Sequence, residues 1–123
     1  MKFTADRPGG SNVVRGYAPG LLRIGEREIC SSVIVSAAIL IEPWRPRRVA
    51  DLIAGDLEPA IELAPEVLLI GTGPKQVFPD FALFGALRAA RIGFEIMDTG
   101  AACRTYNVLV GEDRRVAAAL MIE

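Results

Sequence analysis

The sequence predicts an α/β fold built on two parallel strands joined by a helix. Two apolar bursts and the segment between them carry that prediction. Residues 67–70, Val-Leu-Leu-Ile, are continuous and apolar, the mark of a strand buried on both faces, and they break at Gly71-Thr72-Gly73-Pro74. A helix-length amphipathic segment follows. A second burst, Phe94-Glu95-Ile96-Met97, then stops at Asp98-Thr99-Gly100. In such units the loops leaving the two strands lie side by side and form the usual crevice for ligands. Here those loops are GTGPKQ, residues 71–76, and DTGAACRTYN, residues 98–107.

The other elements follow in chain order. Residues 1–16 mix glycine, proline, asparagine and charge, which predicts a mobile or loosely docked lead-in and leaves 17–123 as one domain. Residues 21–24 are a strand candidate, and Gly25-Glu26 turns into another at 27–30, an N-terminal β-hairpin region. Residues 32–42 are apolar on both faces and predict one central strand, ended by Pro43 because proline cannot donate to a ladder. Trp44 either covers one end of the core, its indole N–H on a partner, or stands at the surface as a docking anchor. Asp56 is a candidate N-cap for a short helix over 57–63, and Pro65 stops it. Asp80 caps a helix over 81–91 whose apolar face takes Phe81, Leu83, Phe84, Leu87 and Ala90. Arg88 and Arg91 suit its negative end, and Gly93 suits the position beyond it. Residues 100–110 read as another helix, with Thr99 as N-cap and Cys103, Tyr106, Asn107 and Val110 on one face. After a charged turn at 111–115, the alanine-rich run 116–122 reads as a final, close-packed central strand.

Composition excludes several function classes. With 123 residues, 51% of them apolar, the chain suits one domain with a real core. The net charge of −1 offers no basic surplus for nucleic acid. Only Arg45, Arg47 and Arg48 cluster, as a solvated turn or, with Trp44, as a candidate protein-interaction surface. Two cysteines, Cys30 and Cys103, make no disulfide framework and favour a reducing compartment. The chain has no histidine, which removes Ser-His-Asp and Cys-His machinery and most zinc or iron ligation; with two cysteines, a zinc site would need unusual carboxylate help, and no metal is expected. The longest apolar run, residues 33–41 with Ser36 inside it, is nine residues, against about 20 needed to span a bilayer. The first residues lack the apolar core of a secretory signal. A soluble, cytoplasmic protein without a transmembrane segment is the expectation.

The two exit loops hold the candidate chemistry. Gly71-x-Gly73 imitates a dinucleotide turn and Asp98 its ribose-binding acid, but Gln76 stands where the third glycine belongs, and no GxxxxGK[ST] is present. No cofactor is implied. Lys75 could hold an anion or simply be solvated. Cys103 lies in the first turn of a helix beside Arg104, where a thiolate is favoured, yet buried cysteines are commonly inert. Thr105, Tyr106 and Asn107 could bind a ligand or satisfy backbone. The candidate ligand-binding set is therefore Gly71, Thr72, Gly73, Lys75, Gln76, Asp98, Thr99, Cys103, Arg104, Tyr106 and Asn107, with no catalytic residue assigned.

Residues 69–73, 93–99, 102–109 and 116–120, with Gly16-Tyr17 and Pro43-Trp44, resemble the Mth-like domain family. The resemblance covers essentially the whole chain from about residue 15, and its specific signature is Gly71-Thr72-Gly73 combined with D-T-x-x-A-C-x-T-Y-N at 98–107. The resemblance implies a compact three-layer α/β domain with a mixed central sheet and no established enzymatic activity. The family's mitochondrial members are complex I assembly factors, so it also implies protein partners, with any membrane association made through them. A small homo-oligomer is compatible with it. The expected function is a non-enzymatic, protein-binding, assembly-factor-like module. The alternative is a small-molecule or anion binder, or a weak enzyme, using the two loops.

Overall fold

In a computed structural model, the structure describes residues 2–5 and 10–123. Among the described residues, nine strands form two sheets. The first two strands are β1 (Lys2–Ala5) and β2 (Val14–Ala18). A meander of β3 (Leu21–Ile24) and β4 (Arg27–Ile29) completes, with β2, a three-stranded antiparallel sheet. Its 3–4 hairpin turns where the sequence predicts, with Gly25 at φ +58°. The central sheet adds β5 (Ser32–Ser36), β6 (Ile39–Trp44), β7 (Val67–Gly71), β8 (Gly93–Met97) and β9 (Val116–Leu120), in the order β1-β6-β5-β9-β7-β8. The pairs β7–β8 and β7–β9 are parallel; β5–β9, β5–β6 and β1–β6 are antiparallel. The expected parallel pair and mixed central sheet are both present.

Packing on the two faces makes the three layers. One face carries the three-stranded sheet and helix α3 (Thr99–Gly111); Leu22, Ile24, Ala102, Tyr106 and Val110 meet Val33, Val35, Leu69, Ala118 and Leu120 there. The opposite face carries 3-10 turns and the short helices α1 (Glu58–Glu62) and α2 (Gly85–Ala89), with Leu57, Ala60, Phe84 and Leu87 on Ile34, Ile70, Ala117 and Ala119. β9 is buried at every position. Its alanines alternate between the two cores, and their small volume lets both outer layers close on the sheet.

Four local expectations are corrected. Residues 32–42 are not one strand but a hairpin, with Val35 opposite Leu40 and the turn at Ala37-Ala38. The turn is closed by the Ser36 hydroxyl, which accepts from the Ile39 N–H (3.2 Å), and by Asn12, whose side-chain amide donates to the Ser36 carbonyl (3.0 Å). β6 also runs through Pro43 to Trp44, opposite Ser32, beside a bulge that tolerates the missing donor. The helix after Asp80 is a 3-10 turn (Phe81–Phe84) leading into α2, and the left-handed residue that ends it is Arg91 (φ +60°), not Gly93, which opens β8. The N-cap of α3 is Asp98, accepting from the Ala101 N–H at 2.8 Å, rather than Thr99.

The expected lead-in over 1–16 is largely paired where described. Lys2–Ala5 is a strand on β6, and the Asn12 carbonyl accepts from the Tyr106 hydroxyl at 2.9 Å. Residues 1 and 6–9, with Arg7, Pro8 and Gly9, lie outside the described residues.

Asp56 is not an N-cap of α1 but the pin of the segment between β6 and that helix. Its carboxylate accepts from Arg45 through two nitrogens (3.0 and 2.8 Å) and from the Ile53 N–H (2.9 Å), and its carbonyl accepts the Trp44 indole N–H (2.8 Å). Burial opposes its charge, yet the Arg45 and Ile53 hydrogen bonds hold its carboxyl below the ordinary value of 3.8. A carboxyl depressed on folding stabilises fully above its unfolded value, and the contribution is lost as pH falls through the folded one. Asp56→Ala should therefore cost about 1–2 kcal/mol at neutral pH. In chemical denaturation the gap to wild type should narrow below the ordinary carboxylate range.

Candidate functional site

The exits of β7 and β8 do lie side by side. The Thr72 N–H donates to the Met97 carbonyl (2.9 Å), and the Thr99 N–H donates to the Gly73 carbonyl (2.8 Å). The hollow expected between them is filled. Thr99 is fully buried; its hydroxyl accepts from the Gly73 N–H (2.8 Å) and donates to the Met121 carbonyl (2.8 Å). A Cβ on Gly71 would stand 2.9 Å from the Thr99 Cα, and one on Gly73, at φ +94°, would stand 1.9 Å from the Glu123 carbonyl oxygen. Both glycines thus serve close approach, of α3 in one case and of the C-terminal segment in the other.

The rest of the first loop is held by its own side chains. The Thr72 hydroxyl donates to the Lys75 carbonyl (2.6 Å) and accepts from the Val77 N–H (3.1 Å), and the Gln76 amide donates to the Ile96 carbonyl (2.9 Å). Lys75 is exposed. In the second loop, the Asn107 side chain pairs with Val14 in both directions, accepting from its N–H (2.9 Å) and donating to its carbonyl (2.7 Å). Tyr106 is buried on the Asn12 carbonyl, and burial drives its phenol strongly upward. Tyr106 and Asn107 are clamps between α3 and the N-terminal segment formed by Asn12 and β2.

Three candidates of the set, Cys103, Arg104 and Asn107, instead line a hollow of about 300 Å³ between α3 and β2, with Arg15, Gly16, Tyr17 and Gly100. A bulge in β2 between Val14 and Gly16 shapes its rim. Burial pushes the Cys103 thiol up to about 12, with Asp98 adding to the rise and Arg104 opposing it, so the group is a neutral thiol near neutrality. The Tyr17 phenol is raised by burial, then by Cys103 and Asp98, and its hydroxyl oxygen is buried without a partner among the described residues. Tyr17 enters the sequence analysis only through the family pattern and not as a site residue, because nothing in a short strand marks which residue will face a helix far along the chain.

The second candidate surface divides. Trp44 is 2% exposed, covering the core end with its indole on Asp56, so it cannot be a docking anchor. Arg45, Arg47 and Arg48 remain exposed on the turn beyond it. Arg45 holds Asp56 and also donates to the Asp51 carbonyl; Arg47 pairs with Glu123 at 2.9 Å. The sequence reading also missed Val77, Phe78 and Phe81, three exposed apolar side chains beside the first loop. Their signal was two phenylalanines flanking a Pro-Asp break, where a helical face had claimed only the second.

Gly73→Ala should destabilise by more than about 2 kcal/mol, because the residue needs positive φ and meets backbone rather than a movable side chain. Thermal unfolding would measure it. Iodoacetamide at neutral pH should modify the exposed Cys30 and spare Cys103 until the chain is unfolded, read by mass spectrometry of the intact protein.

The chain is 39% identical over 57 residues to the 13 kDa major membrane protein of Francisella tularensis, covering 46% of each chain. It is 31% identical over 104 residues to NADH dehydrogenase (ubiquinone) 1 alpha subcomplex assembly factor 3 of Xenopus tropicalis, covering 83% of this chain and 56% of that one. The chain thus spans about half the length of these curated relatives. Among solved structures, a Bordetella parapertussis protein superposes with a TM-score of 0.86 at 36% identity, covering 95% of this chain and all of that one. A Bordetella pertussis protein described as a Mth938-like domain gives 0.80 at 30% identity, covering 99% and 92%. A family model described as a protein of unknown function (DUF498/DUF598) matches residues 14–121, and to that family, which includes the Mth938-like domains, this chain belongs.

Proposed function

We propose that this protein is a non-enzymatic, protein-binding module of the assembly-factor kind. The closed crevice carries the reading. Where a parallel α/β unit ordinarily receives its ligand, Thr99, Gly73 and the Met121–Glu123 segment fill the space with hydrogen-bonded backbone. The relative named as an assembly factor, similar over most of this chain, supports a holding role.

The arginine turn suits a partner with an acidic face. Asp56 and Asp51 fix its backbone and Arg45, so little side-chain and loop entropy is lost when Arg47 and Arg48 are covered. Among the described residues no helix is long and apolar enough to cross a membrane. A cytoplasmic setting accommodates the two free thiols. Affinity capture of the full chain from its native cells should recover a stoichiometric protein, and Arg47→Glu with Arg48→Glu should deplete it at least about tenfold while circular dichroism shows the fold retained. Recovery unchanged by the two substitutions would remove the turn from the interface, and recovery of nothing would end the reading.

The Tyr17 hydroxyl favours a second reading. A buried phenol oxygen without a partner among the described residues, beside two arginines and a thiol, suits a small anionic ligand in the hollow between α3 and β2. A thermal-shift panel of small carboxylates and phosphates tests it. A stabilisation that Arg104→Ala abolishes supports ligand binding, and a flat panel leaves protein binding alone.

A further inference from the structure

Five large apolar side chains stand exposed among the described residues, and three fall within five positions: Val77, Phe78 and Phe81, at 45%, 71% and 64% exposure. Single exposed apolar residues are ordinary, whereas a cluster of this kind marks a contact surface. These side chains are also held outward. The Val77 N–H is fixed on the Thr72 hydroxyl, and Pro79 between the phenylalanines is buried. The Phe81 ring meets the buried Phe84 edge-on at 6.4 Å, while the Arg88 guanidinium lies 4.2 Å over its face. The core position beneath is already filled, since Phe84 packs on Phe94 at 4.7 Å.

The surroundings favour one occupant. Lys75 is exposed in the same loop, and Arg88 carries its charge to the ring. Of the acidic residues at this end, Glu123 pairs with Arg47, and Asp80, which accepts from the Ala82 N–H, keeps its charge as one anion against the two cations. Glu95 alternates to the opposite sheet face from Phe94 and Ile96, which pack on the α2 side. β8 is an edge strand, but the Gln76 amide occupies the Ile96 carbonyl there, obstructing a partner chain that would add as a strand. Protruding aromatic tips beside cations, next to an obstructed edge, match insertion among anionic lipid headgroups better than backbone pairing with a protein.

We propose that Val77, Phe78 and Phe81, flanked by Lys75 and Arg88, form a docking tip for the surface of an anionic lipid bilayer. Direct lipid contact does not depend on the protein-partner reading above, so lipid alone tests it. The full chain should co-sediment with phosphatidylcholine vesicles doped with phosphatidylglycerol, and more weakly with pure phosphatidylcholine. Phe78→Asp and Phe81→Asp should each weaken binding at least about tenfold. Lys75→Ala should weaken it about fivefold on the anionic vesicles alone. All three sites are exposed, so circular dichroism should match wild type. The emission of a Phe78→Trp variant should shift to the blue on vesicles, against a constant background from the buried Trp44. Absence of sedimentation, or variants that bind like wild type, would overturn the proposal. So would a wild-type dimer that the Asp variants dissolve while vesicles bind nothing, because the face would then belong to a second copy of the chain.

Discussion

Thr99 is the residue on which the arrangement of the strand exits depends. Its hydroxyl joins the Gly73 N–H to the Met121 carbonyl, and its own N–H returns to Gly73, so one side chain with no exposure fixes the ends of β7 and β9 to the start of α3. Each partner in this cluster is a buried group that would otherwise be costly to leave unpaired, so its members hold one another in place. Gly71 and Gly73 follow from it. The first admits the Thr99 backbone and the second admits the C-terminal carbonyl, and neither approach leaves room for a Cβ. The Gly-x-Gly spacing here is a seat for the protein's own helix rather than a cradle for phosphate.

That seat works because the sheet beneath it is thin. Ala117, Ala118 and Ala119 occupy the central strand, so Ala102 and Cys103 of α3 come down on one face while Ala60 and Phe84 reach the other. Close approach then brings Tyr106 and Asn107 within reach of β2 and the Asn12 segment, where they act as backbone partners. Side chains that look like site chemistry in the sequence are thus used up by tight packing. The same burial that seats α3 keeps the Cys103 thiol protonated near neutrality.

How much of this is legible in the sequence depends on whether a signal is local. The parallel pair, the charged turn and the central alanine strand announce themselves through apolar runs and their punctuation. The hairpin inside 32–42 does not, because Ala37-Ala38 supplies none of the usual turn residues and closure comes from Ser36 and from Asn12, a residue distant in the chain. Arg91 in the left-handed position, with Gly93 two residues on, shows a helix end set by tertiary packing: Leu87 is fully buried and its carbonyl receives the Ile92 N–H. The position of the candidate loops was legible and their closure was not. Closure rests on Thr99 meeting Met121 and Glu123, contacts that no periodicity encodes.

The closed end and the exposed aromatic tip have one cause. The Thr72 hydroxyl draws in both the Lys75 carbonyl and the Val77 N–H, and Gln76 fastens the loop to the edge of β8. A loop anchored at its base in this way cannot fold its tip back over the sheet, and Phe84 with Phe94 already occupies the space such a fold would need. Phe78 and Phe81 are therefore surplus to the core. A ligand crevice would have left these anchors free to engage substrate; here they are committed to the protein itself, and the apolar side chains they turn outward stand exposed.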